Sequence, residues 1–436
     1  MRFGFRHITT ATALLLSVSV LHAEDLLDVY NKALTSDTQL AIAESSLKTV
    51  RLRHDQSGSA IKPQINFSAN LSENQSDVTG AGTDNYQSTG YSLTLTQSLL
   101  NYDSWNAIDE ASAYVLQAEA QYEAAKQNLI TRVATAYFNL LAANDTLELA
   151  KAETRAISQQ LNQTKQRFEV GLSAITDVHE AQAGYDLAVA QEIAAQSTLD
   201  NAREVIREIA GQSIGKIAKL DKDVPLTPPI PQDIDQWVEL ALQKNLNVIA
   251  QQAAIKASTE SVARSKAGHM PTLNLVASHS YSDSSKSSSI SARESTSNTI
   301  SLQLSVPIYS GGLTSSRVKE AANSLSQAKT TLDQTRRATI RQARSAYLSV
   351  NAGIGQVKAR KQALASAQKA LEATQAGFEV GTRTTVDVLN AQRELYRAQS
   401  NYARGRYDYL LTVLGLKQAV GNLQVADMES VNSLLK

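Results

Sequence analysis

Four short stretches of this chain alternate apolar and polar side chains with a period of two, and they come in two pairs. INFSANLS (65–72) sets Ile65, Phe67, Ala69 and Leu71 on one face and Asn66, Ser68, Asn70 and Ser72 on the other. YSLTLTQS (91–98) does the same with Tyr91, Leu93 and Leu95 against Ser92, Thr94 and Thr96. LNLVAS (273–278) and ISLQLSV (300–306) repeat the pattern, the first less cleanly because Val276 falls among the polar positions. Such alternation predicts strands with one polar face. The members of each pair are separated by polar stretches, 75–90 and 282–298, which read as water-exposed loops.

Elsewhere the period becomes helical. Val115, Ala118, Tyr122, Ala125 and Leu129 are spaced 3, 4, 3, 4, and Leu325, Ala328, Leu332 and Thr335 follow the same rule, the spacing of a coiled-coil seam. No proline or glycine interrupts 104–168, a stretch of about 65 residues that would form a helix roughly 100 Å long. None of the seven prolines lies in 64–224 or 308–436, and four cluster in KDVPLTPPIPQD (222–233), which reads as an extended connector.

The connector divides two similar halves. RFEVGLSAITDVHEAQ (167–182) and GFEVGTRTTVDVLNAQ (377–392) align at an offset of 210 with eight of sixteen positions identical. Pro63 aligns with Pro271 and Ala33-Leu34 with Ala241-Leu242 at an offset of 208. The duplication predicts one architecture stated twice. A first repeat covers 24–214, with strands at about 63–76 and 87–100 and long helices at about 103–168 and 174–210. A second covers 234–421, with strands at about 271–282 and 297–309 and helices at about 313–378 and 384–420. The linker is 215–233 and a terminal segment 422–436.

Two readings of the strands are open. One is a small antiparallel sheet with one face on a core. The other is a transmembrane barrel, apolar toward lipid and polar toward a lumen. Four strands cannot close a barrel, and an open edge in lipid leaves backbone groups unsatisfied, so this reading requires several copies of the chain. Helices of such length are not built around an ordinary globular core, and they predict a rod, a filament or a tunnel wall.

Composition narrows the classes. Arg2, Arg6 and His7, the apolar run Ala11–Leu21 and the small residue Ala23 read as a secretory signal peptide over 1–23. Without Arg2 and Arg6 the 42 basic residues fall to about 40 against 42 acidic ones, a near-neutral balance that argues against a nucleic-acid partner. There is no cysteine, which excludes disulfides and thiolate chemistry. Of the six histidines, His7 and His22 leave with the presequence, and His54, His179, His269 and His279 have no metal-ligand spacing. No phosphate loop or nucleophile elbow appears, and neither an enzyme nor a cofactor is expected.

LTQSLLNYDSW (95–105), SVPIYSGG (305–312) and the two duplicated motifs together resemble the TolC-like outer-membrane efflux channels, across almost the whole chain after the presequence. The resemblance implies a mostly helical protein with β strands. It would be a homotrimer with a twelve-stranded outer-membrane barrel, four strands from each protomer, continued by a helical periplasmic tunnel. An equatorial belt would come from roughly 211–240 and 421–436. The implied function is a passive exit duct for drugs or proteins. Its partners would be a periplasmic adaptor (membrane fusion) protein, an inner-membrane pump or ABC transporter, and outer-membrane lipid. A periplasmic rod without a pore is the alternative class.

On this resemblance each duplicated motif is a helix–helix turn at the tunnel's periplasmic tip. Gly171 and Gly381 suit the left-handed conformation that ends a helix, and Ser173 and Thr384 are expected to cap the returning helices. Asp177 and Asp387 would then stand in a first turn, where the helix dipole favours a carboxylate. The resemblance implies a gate latch joining Arg383 to Thr176 and Asp177, and an entrance ring of Asp387. It also implies adaptor docking at Val170-Gly171-Leu172 and Val380-Gly381-Thr382. Phe378 stands where the family's pattern has tyrosine, and Asn390 where it has a second aspartate. A weaker latch and less cation capture are expected.

Overall fold

A computed structural model describes residues 23–79, 82–221, 223–285 and 293–436. The predicted signal peptide lies, but for Ala23, outside them, as do residues 80–81 and 286–292 of the polar stretches between strands.

Each half begins with two helices. In the first half α1 (Leu26–Ser36) and α2 (Thr38–Ser59) are divided by Asp37 alone, which ends α1 and caps α2 by accepting from Leu40 N at 2.7 Å. In the second half α5 (Ile234–Lys244) and α6 (Leu246–Ala267) are divided by Asn245, whose Oδ1 accepts from Asn247 N and Val248 N. Asp and Asn suit this because a short side-chain acceptor satisfies the free N–H groups that a new helix opens with.

The strands are β1 (Gln64–Val78) and β2 (Gly82–Leu100), then β3 (Thr272–Ser284) and β4 (Arg293–Ser305), in one antiparallel sheet of order β1-β2-β3-β4. The register keeps the two faces distinct. Ile65, Leu95, Ala277 and Ile300 form one cross-strand row, and Asn66, Thr94, Ser278 and Thr299 the next. Val276 stays on the polar side, in line with Thr96 and Ser301. His279 stands on the apolar face beside Leu93, with Nδ1 2.7 Å from Asn298 Oδ1. The strands outlast the apolar pattern: β1 and β2 pair through Gln75↔Asn85 and on to Val78↔Gly82, inside the stretch expected to be a loop. Alternation marks where the apolar face stops. Main-chain pairing continues past it, helped by contacts such as Ser72 Oγ to Ser88 Oγ at 2.7 Å. In the other direction β4 ends at Ser305, four residues before the expected bound, because Pro307 has no N–H for the ladder.

From the sheet run α3 (Tyr102–Glu169, 68 residues) and α7 (Leu313–Glu379, 67 residues), each roughly 100 Å long. They return as α4 (Ile175–Ala210) and α8 (Thr385–Ala419). Helix α3 packs on α2, α4, α6 and α8, and α7 on α5, α6 and α8. No helix of the described residues is long and apolar enough to cross a membrane.

The main core lies midway along the helices, where α9 (Val425–Asn432), the linker and the chain ends wrap them. Tyr137, Phe138, Leu141, Ile206, Leu414 and Met428 are each under 2 % exposed there. Tyr137 Oη donates to the Ala218 carbonyl at 2.9 Å, and Tyr407 Oη donates to Asp145 Oδ2 at 2.6 Å. Toward the tips the core shrinks to a cluster of Ile157, Ala188 and Leu389, with Tyr185 packed on it.

Candidate functional site: the paired hairpin tips

Both long helices end in the same backbone device. In the first tip Gly171 N donates to Phe168 O (3.0 Å) and Leu172 N to Arg167 O (2.7 Å). In the second, Gly381 N donates to Phe378 O (3.1 Å) and Thr382 N to Gly377 O (2.8 Å). These are Schellman turns, which need a left-handed residue, and the two glycines supply it at φ 74° and 81°. Val170, Leu172 and Val380 are 69 %, 69 % and 76 % exposed, so the turn ends are apolar and open.

The returning helices start differently. Thr384 caps α8 with a full capping box: Asp387 N donates to Thr384 Oγ1 at 3.2 Å, and Thr384 N donates back to Asp387 Oδ2 at 2.9 Å. The Thr384 hydroxyl also donates to Asp387 Oδ2 at 3.0 Å. In the first tip the cap is Ala174, not Ser173 as expected. Only half of the box is possible, Ala174 N donating to Asp177 Oδ2 at 3.3 Å, because alanine offers no acceptor in return. Ser173 turns back and donates to the Thr164 carbonyl at 3.5 Å. The duplication explains the slip, since at an offset of 210 Ala174 is the counterpart of Thr384 and Ser173 that of Arg383.

The backbone N–H and hydroxyl of Thr384, and then the Arg383 charge, hold the Asp387 carboxyl below the ordinary carboxylate range. Asp387 is therefore anionic and tied to its own helix start. Within one chain Arg383 is not brought to Thr176 or Asp177: its stem crosses Gly377, where an added Cβ would lie 2.8 Å from Arg383 Cγ. Thr176 is exposed. Asn390 is exposed on α8, at the rim of an open cleft between α3, α4 and α8 that Glu153, Arg393 and Arg397 also line. Burial raises the Glu153 pKa, and Arg393 partly offsets it.

One tip residue escaped the sequence reading. The Arg167 guanidinium carbon lies 4.9 Å from the ring centroid of Phe378, joining the end of α3 to the end of α7. Its only signal in the sequence is a mismatch within the repeat, arginine in one copy where the other has Gly377. Among the described residues no group of three or more His, Cys, Asp or Glu is placed to hold a metal ion.

The profile of the outer membrane efflux protein family matches residues 29–212 and 237–422, one segment for each half. The chain belongs to this family. It is 40 % identical to the outer membrane protein TolC of Vibrio cholerae over 420 residues, covering 96 % of this chain and 95 % of that one. It is 30 % identical to the alkaline protease secretion protein AprF of Pseudomonas aeruginosa, covering 93 % and 86 %. Its fold matches the Campylobacter jejuni CmeC outer membrane channel with a TM-score of 0.78 at 15 % identity, covering 100 % and 98 %. The protein is thus an outer-membrane channel protein of a Gram-negative bacterium.

Proposed function

We propose that this chain is the outer-membrane exit duct of efflux and secretion systems, working as a homotrimer that inner-membrane transporters recruit through a periplasmic adaptor. One observation carries the reading. An open four-stranded sheet, with Ile65, Phe67, Ile300, Leu302 and Leu304 all at least 65 % exposed on its apolar face, continues directly into helices of 68 and 67 residues. Such a face suits lipid, but two unpaired edges do not, since each unsatisfied backbone group in hydrocarbon costs several kcal/mol. Three copies remove every edge and give twelve strands around a polar lumen. The long helices then form a tunnel wall reaching into the periplasm, with the tips at its entrance.

The tip residues take gating roles on this reading. Arg383 is free to reach a neighbouring protomer's Thr176 and Asp177, because the chain's own fold leaves those residues apart. The contact is charge-assisted but exposed, so it contributes about 1 kcal/mol or less, which suits a latch that must open. Three copies of Asp387 ring the entrance, and the apolar turn ends at Val170, Leu172 and Val380 dock the adaptor. Relatives named for protease secretion, such as AprF, support protein cargo as well as small molecules.

The test is purification from outer membranes followed by planar-bilayer recording. Trimers that carry single-channel currents are expected. Arg383→Ser should raise resting conductance and Asp387→Asn should weaken cation selectivity. A monomer without channel activity would refute the duct.

A further inference from the structure

The two tips of one protomer meet through a contact that neither the capping nor the helix packing requires. Arg167 stands in the last turn of α3 and Phe378 in the last turn of α7, and the guanidinium lies over the ring at 4.9 Å. A cation in this position is attracted by the negative face of the ring. The pairing is not duplicated between the two halves. Both have phenylalanine, but only the first has a basic residue in the last turn of its long helix, and its counterpart is Gly377. Phe168, the counterpart of Phe378, is 41 % exposed, whereas Phe378 is half-buried beneath the guanidinium. A favourable charge at a helix end would explain a basic residue at 167, but not its seat on the other hairpin's aromatic ring.

We propose that Arg167 and Phe378 form a staple within each protomer that holds the α3–α4 hairpin against the α7–α8 hairpin and parts when the entrance opens. The inference rests on the duct reading. It adds to the Arg383 latch rather than replacing it, because the two act on different pairs of hairpins, one inside a protomer and one between protomers. Phe378 can serve here although it has no hydroxyl, since the contact uses the ring face.

Planar-bilayer recordings of purified trimers decide it. A partly exposed cation–π contact corresponds to about a two- to fivefold change in an equilibrium. Arg167→Ala and Phe378→Leu should therefore each raise the open probability by about that factor. The double variant should do no more than the larger single one, because both remove one contact. Phe378→Trp, which keeps an aromatic face, should stay at or below the wild-type value. Arg167→Met preserves the apolar stem and serves if the alanine variant fails to assemble. An unchanged resting conductance in both Arg167 variants overturns the staple, as does a double variant that multiplies the single effects, or a Phe378→Trp channel as loose as Phe378→Leu. Wild-type protein that forms no channel defeats the duct reading itself, whereas conducting wild-type trimers indifferent to Arg167 defeat only the staple.

Discussion

Three glycines of this chain share one backbone conformation and live in opposite surroundings. Gly171 and Gly381 at the tips and Gly421 at the equator have φ of 74°, 81° and 74°. An added Cβ at either tip glycine meets nothing within 4 Å, but at Gly421 it would lie 2.2 Å from the Lys244 carbonyl oxygen and 2.7 Å from Asn245 Cα. The same turn therefore serves two ends. At the equator it lets one main chain press against another, next to the residue that divides α5 from α6. At the tips it reverses the chain and leaves the surface free for others. The equator is built to stay put, with Asp37, Asn245, Tyr137 and Tyr407 each paired to a fixed partner. The tips hold themselves by caps and exposed contacts that a small free energy can undo.

The sharpest break of this contrast is alanine at each glycine. At all three the left-handed backbone costs about 1–2 kcal/mol for a residue with a Cβ. At Gly421 the clash adds to it, because backbone on the far side cannot step away, and the total should exceed about 4 kcal/mol. Gly421→Ala should abolish folded protein in outer-membrane fractions. Gly171→Ala and Gly381→Ala should leave the yield of folded protein unchanged. On the docking role proposed for the tips, bulky residues there should leave the fold intact while export fails. Equal yield of folded protein for all three alanine variants would remove the distinction.

The next test acts within the equator, on a position the two halves treat differently. Asp37 is 6 % exposed and takes Arg132 in a two-pronged ion pair, with Nη1 to Oδ2 at 2.8 Å and Nη2 to Oδ1 at 2.7 Å. Its counterpart Asn245 donates from Nδ2 to the Ala419 carbonyl at 2.9 Å. Burial alone would raise the Asp37 pKa, but Arg132 and the Leu40 N–H outweigh it and hold the carboxyl below its ordinary 3.8. A folded-state pKa that is lowered contributes stability above the unfolded value, and that stability is lost as the pH falls through the folded one. Asp37→Asn keeps a good helix cap, removes the charge and leaves Arg132 unpaired. It should lower stability at pH 7 by about 3 kcal/mol. The difference from wild type should close as the pH falls below the ordinary carboxylate value. Unfolding midpoints measured from pH 7 to pH 2 check it, and a constant difference across that range would refute the ion-pair assignment.

Much of this was legible in the sequence, for a physical reason. Long stretches without proline, period-two strands and a glycine at each reversal are local signals, and they pointed to α3, α7, the four strands and both turns. What escaped depends on partners far along the chain. Asp37 can be buried with its charge because Arg132 pairs with it, and nothing near residue 37 says so. The strands ran beyond their apolar pattern because pairing with a neighbour satisfies a polar stretch as well as an apolar one. At the tips the motif gave the turns, but Ser173 beside a helix start resembled a cap when the neighbouring Ala174 held that place. Arg167 and Phe378 meet across 211 positions, and only the mismatch with Gly377 hinted at it.

The smallest expected effect separates the two tips from each other. The second helix start has both halves of its box, with Thr384 and Asp387 each donating and accepting, while the first has only the Asp177 half. An N-cap hydroxyl is worth about 1 kcal/mol, or a factor of about 5 in local opening. Thr384→Ala should therefore raise amide exchange in the first turn of α8 by about fivefold. Ala174→Thr, which supplies the missing acceptor at a site already in the extended conformation a cap requires, should slow exchange in the first turn of α4 by a similar or smaller factor. Both variants leave the Schellman turns and the glycines untouched, so the rest of each hairpin should exchange as in wild type. If the tips were held chiefly by trimer packing rather than by their own caps, neither change would move the local rates. If the caps govern, the wild-type first tip should already exchange faster than the second, and the two substitutions together should reverse that order.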